Sequence, residues 1–224
     1  MYGTTLIDQK LKAQLAETLS KEMKDEVKIW MFTDKSKEKC EHCDTVEGLM
    51  RELCSTSKKL SLYAYDINDH QKEAKVLGIG RVPAILLHGV AAYGIYYYGM
   101  PTGYEFNSLI EDIIDVSNSK SRLSKISKDA LQGINKEIDI KVFVTPTCPY
   151  CPGAVRIAHQ IALENSKVKA SMIEAMEFAD LSERYGVMGV PKIVINDSIS
   201  FEGAVPEYDF IAYVREAVTS PAHK

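Results

Sequence analysis

Apolar residues recur along this chain in two alternating rhythms. Between Asp8 and Met23, Leu11, Leu15 and Leu19 stand four apart with charged residues between them, the spacing of one helix face. Val27 to Phe32 reads instead as a short buried strand. A polar loop from Thr33 to Lys39 leads into a helix over 44–54 that carries Val46, Leu49, Met50 and Leu53. Leu60 to Ile67 alternates as a strand, and His70 to Leu77 spaces as a short helix. Ala84–Leu87 is an apolar strand and Gly89–Gly94 a turn. Ile95–Tyr98 is a further strand, whose Tyr96, Tyr97 and Tyr98 divide between its two faces rather than forming a binding platform. Gly103 to Val116 is amphipathic and helical.

From Ser117 to Lys128 five serines and four basic residues fill twelve positions and no large apolar face is visible, which predicts a connector. We place the boundary between two domains, 1–118 and 119–224, within it. The second half then repeats the rhythm of the first. Strand Ile140–Val144 is followed by a helix to about Asn165 and strand Val168–Glu174. Helix Ala179–Tyr185, strands Lys192–Ile195 and Ile199–Glu202, and helix Pro206–Val218 complete it. Cys40 and Cys148, Cys43 and Cys151, Asp66 and Glu174, Gly78 and Gly186, Val82 and Val190, and Pro83 and Pro191 are each 108 apart. Gly99 and Gly203, Tyr104 and Tyr208, and Phe106 and Phe210 are each 104 apart. One β-α-β-α-β-β-α unit has been duplicated in tandem.

Composition narrows the class. With 46% hydrophobic and 26% charged residues the chain can bury a real core, and its net charge of −4 favours neither a nucleic acid nor an anionic membrane as partner. No apolar run approaches the ~20 residues needed to span a bilayer. The stretch Met1 to Lys10 lacks the charged and apolar regions of a secretory leader, so cytoplasmic residence is expected.

Four of the five cysteines form two Cys-x-x-Cys pairs, Cys40-Glu41-His42-Cys43 and Cys148-Pro149-Tyr150-Cys151, each between a buried strand and a helix. A helix N-terminus favours an anion by about 0.3–2 kcal/mol, which brings a thiol from near 8.5 towards neutral pH. Cys40 and Cys148, the outer thiols, are the expected nucleophiles. Cys43 and Cys151, one turn on, are placed to resolve a mixed disulfide. The residues between the thiols tune them. A charged His42 would stabilise thiolate at Cys40 and make that pair the more oxidising, whereas Pro149 and Tyr150 supply no charge. Val82-Pro83 and Val190-Pro191 follow about forty residues after each pair. With only a ~0.5–1 kcal/mol trans preference, these bonds are expected to be cis, beside the thiols, with Val82 and Val190 offering backbone groups to an extended substrate. Zinc ribbons space their pairs by about 15–20 residues, so no metal is expected. Cys54 reads as a packing cysteine. His70, His88, His159 and His223 read as ordinary surface or core residues, and Glu41 and Arg81 as solvated neighbours of the chemistry.

A Cys-x-x-Cys at a helix start with a later Val-Pro before an apolar strand resembles the thioredoxin superfamily, and Cys-Pro-Tyr-Cys is its glutaredoxin form. Two such units, the second with Thr145-Pro-Thr-Cys-Pro-Tyr-Cys-Pro152, resemble the glutaredoxin-like protein disulfide oxidoreductases of thermophiles over nearly the whole chain. The resemblance implies an α/β protein of two tandem thioredoxin-like folds, each a central mixed β-sheet flanked by helices. It also implies thiol–disulfide exchange on protein disulfides, a principal second site and recycling by a flavin-dependent thioredoxin reductase. No organic cofactor is expected, because the sulfurs carry the redox change. Thioredoxins proper place an acidic residue six positions before the nucleophile. That position is Val142 here, with Trp30 as its expected counterpart in the first half, which has a loop four residues longer. Asp66 and Glu174 are weak substitutes, so the proton acceptor for the resolving thiols is missing from the pattern. Two other readings use the same residues: an electron relay dedicated to a peroxidase, and a scaffold with one active site whose N-terminal half only docks partners.

Overall fold

A computed structural model describes residues 5–219. Residues 1–4 of the leader reading and His223 lie outside the described residues. The first repeat comprises α1 (Gln9–Glu22), β1 (Val27–Thr33), α2 (Cys43–Cys54), β2 (Leu60–Asp66), α3 (Gln71–Val76), β3 (Ala84–His88), β4 (Ala92–Tyr98) and α4 (Tyr104–Asn118). After α5 (Lys125–Gln132), the second has β5 (Ile138–Val144), α6 (Cys151–Glu164), β6 (Val168–Glu174), α7 (Ala179–Arg184), β7 (Lys192–Ile195), β8 (Ile199–Glu202) and α8 (Glu207–Thr219).

Two expectations need correcting. The serine-rich connector is helical in its second half: Ser124 caps α5 by accepting from the Ser127 N–H, and Leu131 is buried. Its short apolar face was hidden among serines and lysines. The turn expected over 89–94 ends early, because Ala92–Gly94 already belong to β4. Gly94 is required there, since a Cβ would collide with the Val168 carbonyl oxygen.

The strands form one eight-stranded sheet in the order β2-β1-β3-β4-β6-β5-β7-β8. Within each repeat the order is the same, with the first two strands parallel and the others antiparallel. The two mixed sheets expected are fused by parallel pairing of β4 with β6, from Ile95 opposite Ala170 to Tyr98 opposite Ile173. Fusion covers two edges that would otherwise be open to pairing with other chains.

Period-2 alternation distributes side chains between two cores. Ile29, Met31, Ile85, Tyr97, Val142 and Met172 face the larger core with α1, α2, α4, α6 and α8. Phe32, Leu86, Tyr96, Tyr98, Phe143 and Ile173 face the smaller one under α3 and α7. Tyr97 thus parts from Tyr96 and Tyr98, as its odd position demands. Burying each large side chain contributes about 1.5–3 kcal/mol relative to exposure. Among the described residues no helix is long and apolar enough to cross a membrane.

Candidate active sites

Both cysteine pairs sit where a strand of the sheet gives way to a helix, and both are disulfide-bonded, Cys40 to Cys43 and Cys148 to Cys151. The outer cysteines are each 6% exposed and the inner ones 2% or less. Neither His42 nor Tyr150, the residue preceding each helix, caps it with a side chain. The first N–H of α6, that of Cys151, points at Cys148 Sγ from 3.1 Å. An unpaired helix N-terminus is therefore aimed at the sulfur that would carry negative charge in the reduced state. Pro152, in the first turn, has no N–H to leave unpaired. In the first site Asp34 donates its N–H to Cys43 Sγ at 3.4 Å.

The Val82-Pro83 and Val190-Pro191 bonds are both cis. Val190 O lies 3.7 Å from Cys148 Sγ, and Val82 and Pro83 line one groove with Cys40. The carbonyls of Pro83 and Pro191 accept from Gly99 and Gly203, tying each loop to the end of the next strand. Around the second site Tyr150 is 70% and Met188 92% exposed.

The missing strand carboxylate looks different in three dimensions. Val142 pairs across the sheet with Met172 and Ile193, and Met31 with Ala64 and Ile85. Matching these ladders makes Met31, not Trp30, the counterpart of Val142, and both are wholly buried. Trp30 faces the other way and stacks on His88 at 4.1 Å. The first loop is longer by three residues, from Thr33 to Cys40 against Val144 to Cys148, and a one-residue slip exchanges the faces of a strand. Asp66 and Glu174 serve as turn acceptors: Asp66 takes the N–H groups of Asn68 and Lys35, and Glu174 that of Glu177.

Pattern reading missed several groups. Glu105, in the first turn of α4, is 1% exposed with both carboxylate oxygens unpartnered, and burial pushes its carboxyl up to about 7. The N-terminus of α4 abuts the loop before Cys148: Tyr104 donates to Pro146 O at 3.2 Å, and a Cβ on Gly103 would collide with that oxygen. α4 then packs along α6, the helix that Cys151 opens. Glu177, from the loop after β6, accepts the Met100 N–H at 2.7 Å and lines the Cys40 groove. Burial raises its carboxyl, opposed by the Met100 N–H and the nearby His42. His159 belongs to a buried ionic cluster, its Nδ1 2.6 Å from Asp112 of α4, and desolvation holds its pKa down at about 3. None of these residues carries a motif, and a lone Glu or His inside a helix gave no signal.

A family model described as a thioredoxin domain matches residues 138–216. A crystal structure of a protein disulfide oxidoreductase from Aeropyrum pernix K1 superposes with a TM-score of 0.88 at 31% identity, covering 97% of this chain and 96% of that one. The NTD_N/C domain of alkylhydroperoxide reductase AhpF from Enterococcus faecalis gives a TM-score of 0.84 at 24% identity, over 92% and 99% of the two chains. The F component of alkyl hydroperoxide reductase from Pseudomonas aeruginosa is 24% identical over 212 residues, which are 93% of this chain and 37% of that protein. The chain spans only about a third of the length of the curated relatives it matches.

Proposed function

The chain belongs to the protein disulfide oxidoreductases built from two thioredoxin folds, and from that membership we propose that it exchanges disulfides with protein substrates, chiefly through Cys148 and Cys151. The carrying observation is the setting of Cys148: a sulfur at a helix N-terminus, beside the Val190 backbone, with exposed Tyr150 between the two thiols and exposed Met188 two residues before Val190. In the reducing direction Cys148 thiolate attacks one sulfur of a substrate disulfide. The substrate S–S bond breaks as the Cys148–substrate bond forms, and the departing thiolate takes a proton. Cys151 then loses its proton and attacks Cys148 Sγ, releasing the second substrate thiolate and leaving the Cys148–Cys151 disulfide. Two electrons have passed to the substrate. Glu105, buried in the first turn of α4, which packs along α6, and with its carboxyl pushed up to about 7, is the proton acceptor we assign to Cys151. Cys40 and Cys43 run the same exchange at the first site, Val82 and Val190 align the substrate backbone, and His42, Pro149 and Tyr150 set the poise. No organic cofactor enters, since the sulfurs carry the electrons, and a flavin-dependent thioredoxin reductase is the reductant we propose.

Insulin reduction by dithiothreitol tests this. Cys148→Ser is expected to remove most of the turnover, Cys40→Ser a smaller share, and all four Ser substitutions together the whole of it. Full turnover with Cys148→Ser would defeat the primacy of the second site.

The matches to the F component of alkyl hydroperoxide reductases support a second reading, an electron relay to a peroxidase. Comparing the rate on a peroxidase disulfide with that on insulin separates the two. A large preference for the peroxidase favours the relay.

A further inference from the structure

The duplication allows the surroundings of the two thiol pairs to be compared position by position. Between the thiols of the second pair stand Pro149 and Tyr150, and just before Val190 come Met188 and Gly189; the residues 108 earlier are Glu41, His42, Gly80 and Arg81. Where the second repeat has four uncharged residues, the first has Glu41, His42 and Arg81.

The fusion of the sheets adds to that difference. A groove of about 820 Å³ runs from Cys40, Val82 and Pro83 to the loop that follows β6 of the other repeat. Carboxylates line it from both sides: Asp34 and Glu41 from the first repeat, Glu174, Glu177 and Asp180 from the second. Lys39, His42 and Arg81 are the basic side chains in its wall, and Arg81 is committed to Asp180 through bonds of 2.9 and 2.6 Å. Glu174 is 4% exposed, and its Oε1 has no partner. The first repeat's contact with the loop before Cys148 is made by the uncharged Gly103 and Tyr104.

The geometry points to a division of substrates: the Cys40 groove takes an extended polypeptide segment whose disulfide cysteine is flanked by lysine or arginine, which the excess of carboxylates over basic side chains in its wall selects. The inference rests on the reading that Cys40 is a nucleophile. In the reaction Cys40 thiolate attacks the segment's sulfur, a Cys40–segment disulfide forms as the old S–S bond breaks, and the departing thiolate carries off the electron pair.

The test uses two full-length variants. Cys43→Ser with Cys148→Ser and Cys151→Ser leaves Cys40 and the half-buried Cys54; Cys40→Ser with Cys43→Ser and Cys151→Ser leaves Cys148 and Cys54. Each meets two cysteine peptides of equal length, activated as 2-pyridyl disulfides and flanked by lysines or by glutamates. Release of pyridine-2-thione gives the rate, normalised to that with uncharged dipyridyl disulfide. Cys40 is expected to favour the lysine peptide about tenfold, a ratio that shrinks towards one as salt shortens the screening length from about 10 Å at 0.1 M to about 3 Å at 1 M. Adding Glu174→Gln and Glu177→Gln is expected to reduce it in the same way, while Cys148 shows no such preference. Equal rates for the two peptides at Cys40 would overturn the inference and leave the nucleophile standing. A Cys40 that fails to attack even dipyridyl disulfide would overturn the nucleophile reading and the inference with it.

Discussion

At the scale of single residues, environment separates groups that composition counts as alike. Cys54 carries the same thiol as Cys148 but lies at the end of α2, where burial pushes it up to about 11 against the opposing charge of Arg51. At pH 7.5 fewer than about one molecule in a thousand would hold it as thiolate. Brief iodoacetamide treatment of the reduced, folded protein should therefore label Cys148 and spare Cys54, as read by mass spectrometry of the peptides. Glu105 gives a second outcome. Its folded pKa of about 7 exceeds the ordinary 4.5, so between those values the folded state holds a proton that the unfolded state has lost. The stability this contributes is complete below pH 4.5 and is lost as pH rises through 7, in all roughly 3 kcal/mol. Urea titrations at pH 5 and pH 8 should show the wild type losing more stability across that range than Glu105→Gln. If Glu105 accepts the Cys151 proton, the variant should also lose the rise of turnover with pH near 7. Legibility at this scale was uneven. The thiols and prolines announce themselves by spacing, whereas Glu105 has no motif and its meaning comes from the dry interface that α4 makes.

Among elements, α4 packs on α6 and joins the repeats across the larger core. Arg156 of α6 reaches Asp112, Asp115 and Glu111 of α4, and Tyr97 of β4 bonds to Asp112 beneath them. Arg156 is 8% and Asp112 1% exposed, so the charges are out of water and depend on one another. Arg156→Met should cost about 3–5 kcal/mol, since it strands buried carboxylates. Arg156→Met combined with Asp115→Leu, which keeps Asp112 for Tyr97 and His159, should recover part of that loss, and urea unfolding of the two variants measures both. The helices themselves were legible from their 3.6-residue rhythm. The partnership was not: Asp112 and Asp115 look like the solvated face of an amphipathic helix until a second helix covers them. The same limit explains the misplaced Trp30. A strand's alternation is visible in sequence, but its register against neighbours is set by the ladders, and an error of one residue moved the comparison from the larger core to the smaller.

For the whole molecule, fusion of the sheets makes two repeats one object. β4 and β6 would be open edges in separate halves, each with unpaired backbone groups beside apolar side chains such as Ile95 and Ala170. Full-length protein should unfold in one cooperative calorimetric transition rather than two. Residues 119–224 made alone, cut at the boundary we propose, should self-associate through β6 during gel filtration. A stable monomeric second half, or two separated transitions in the full chain, would contradict this. The sequence by itself determined the duplication, the positions of both thiol pairs at helix starts, the cis Val-Pro bonds and the alternation of faces. All of these follow from spacings within a few residues or from repetition at a fixed offset. Only the tertiary structure decided that β4 pairs with β6, that Met31 matches Val142, that Glu105 is buried in the first turn of α4 and that carboxylates of one repeat wall the cysteine groove of the other. Those depend on which distant surfaces come together, and that choice is made by complementarity of whole faces and edges, which no local spacing records.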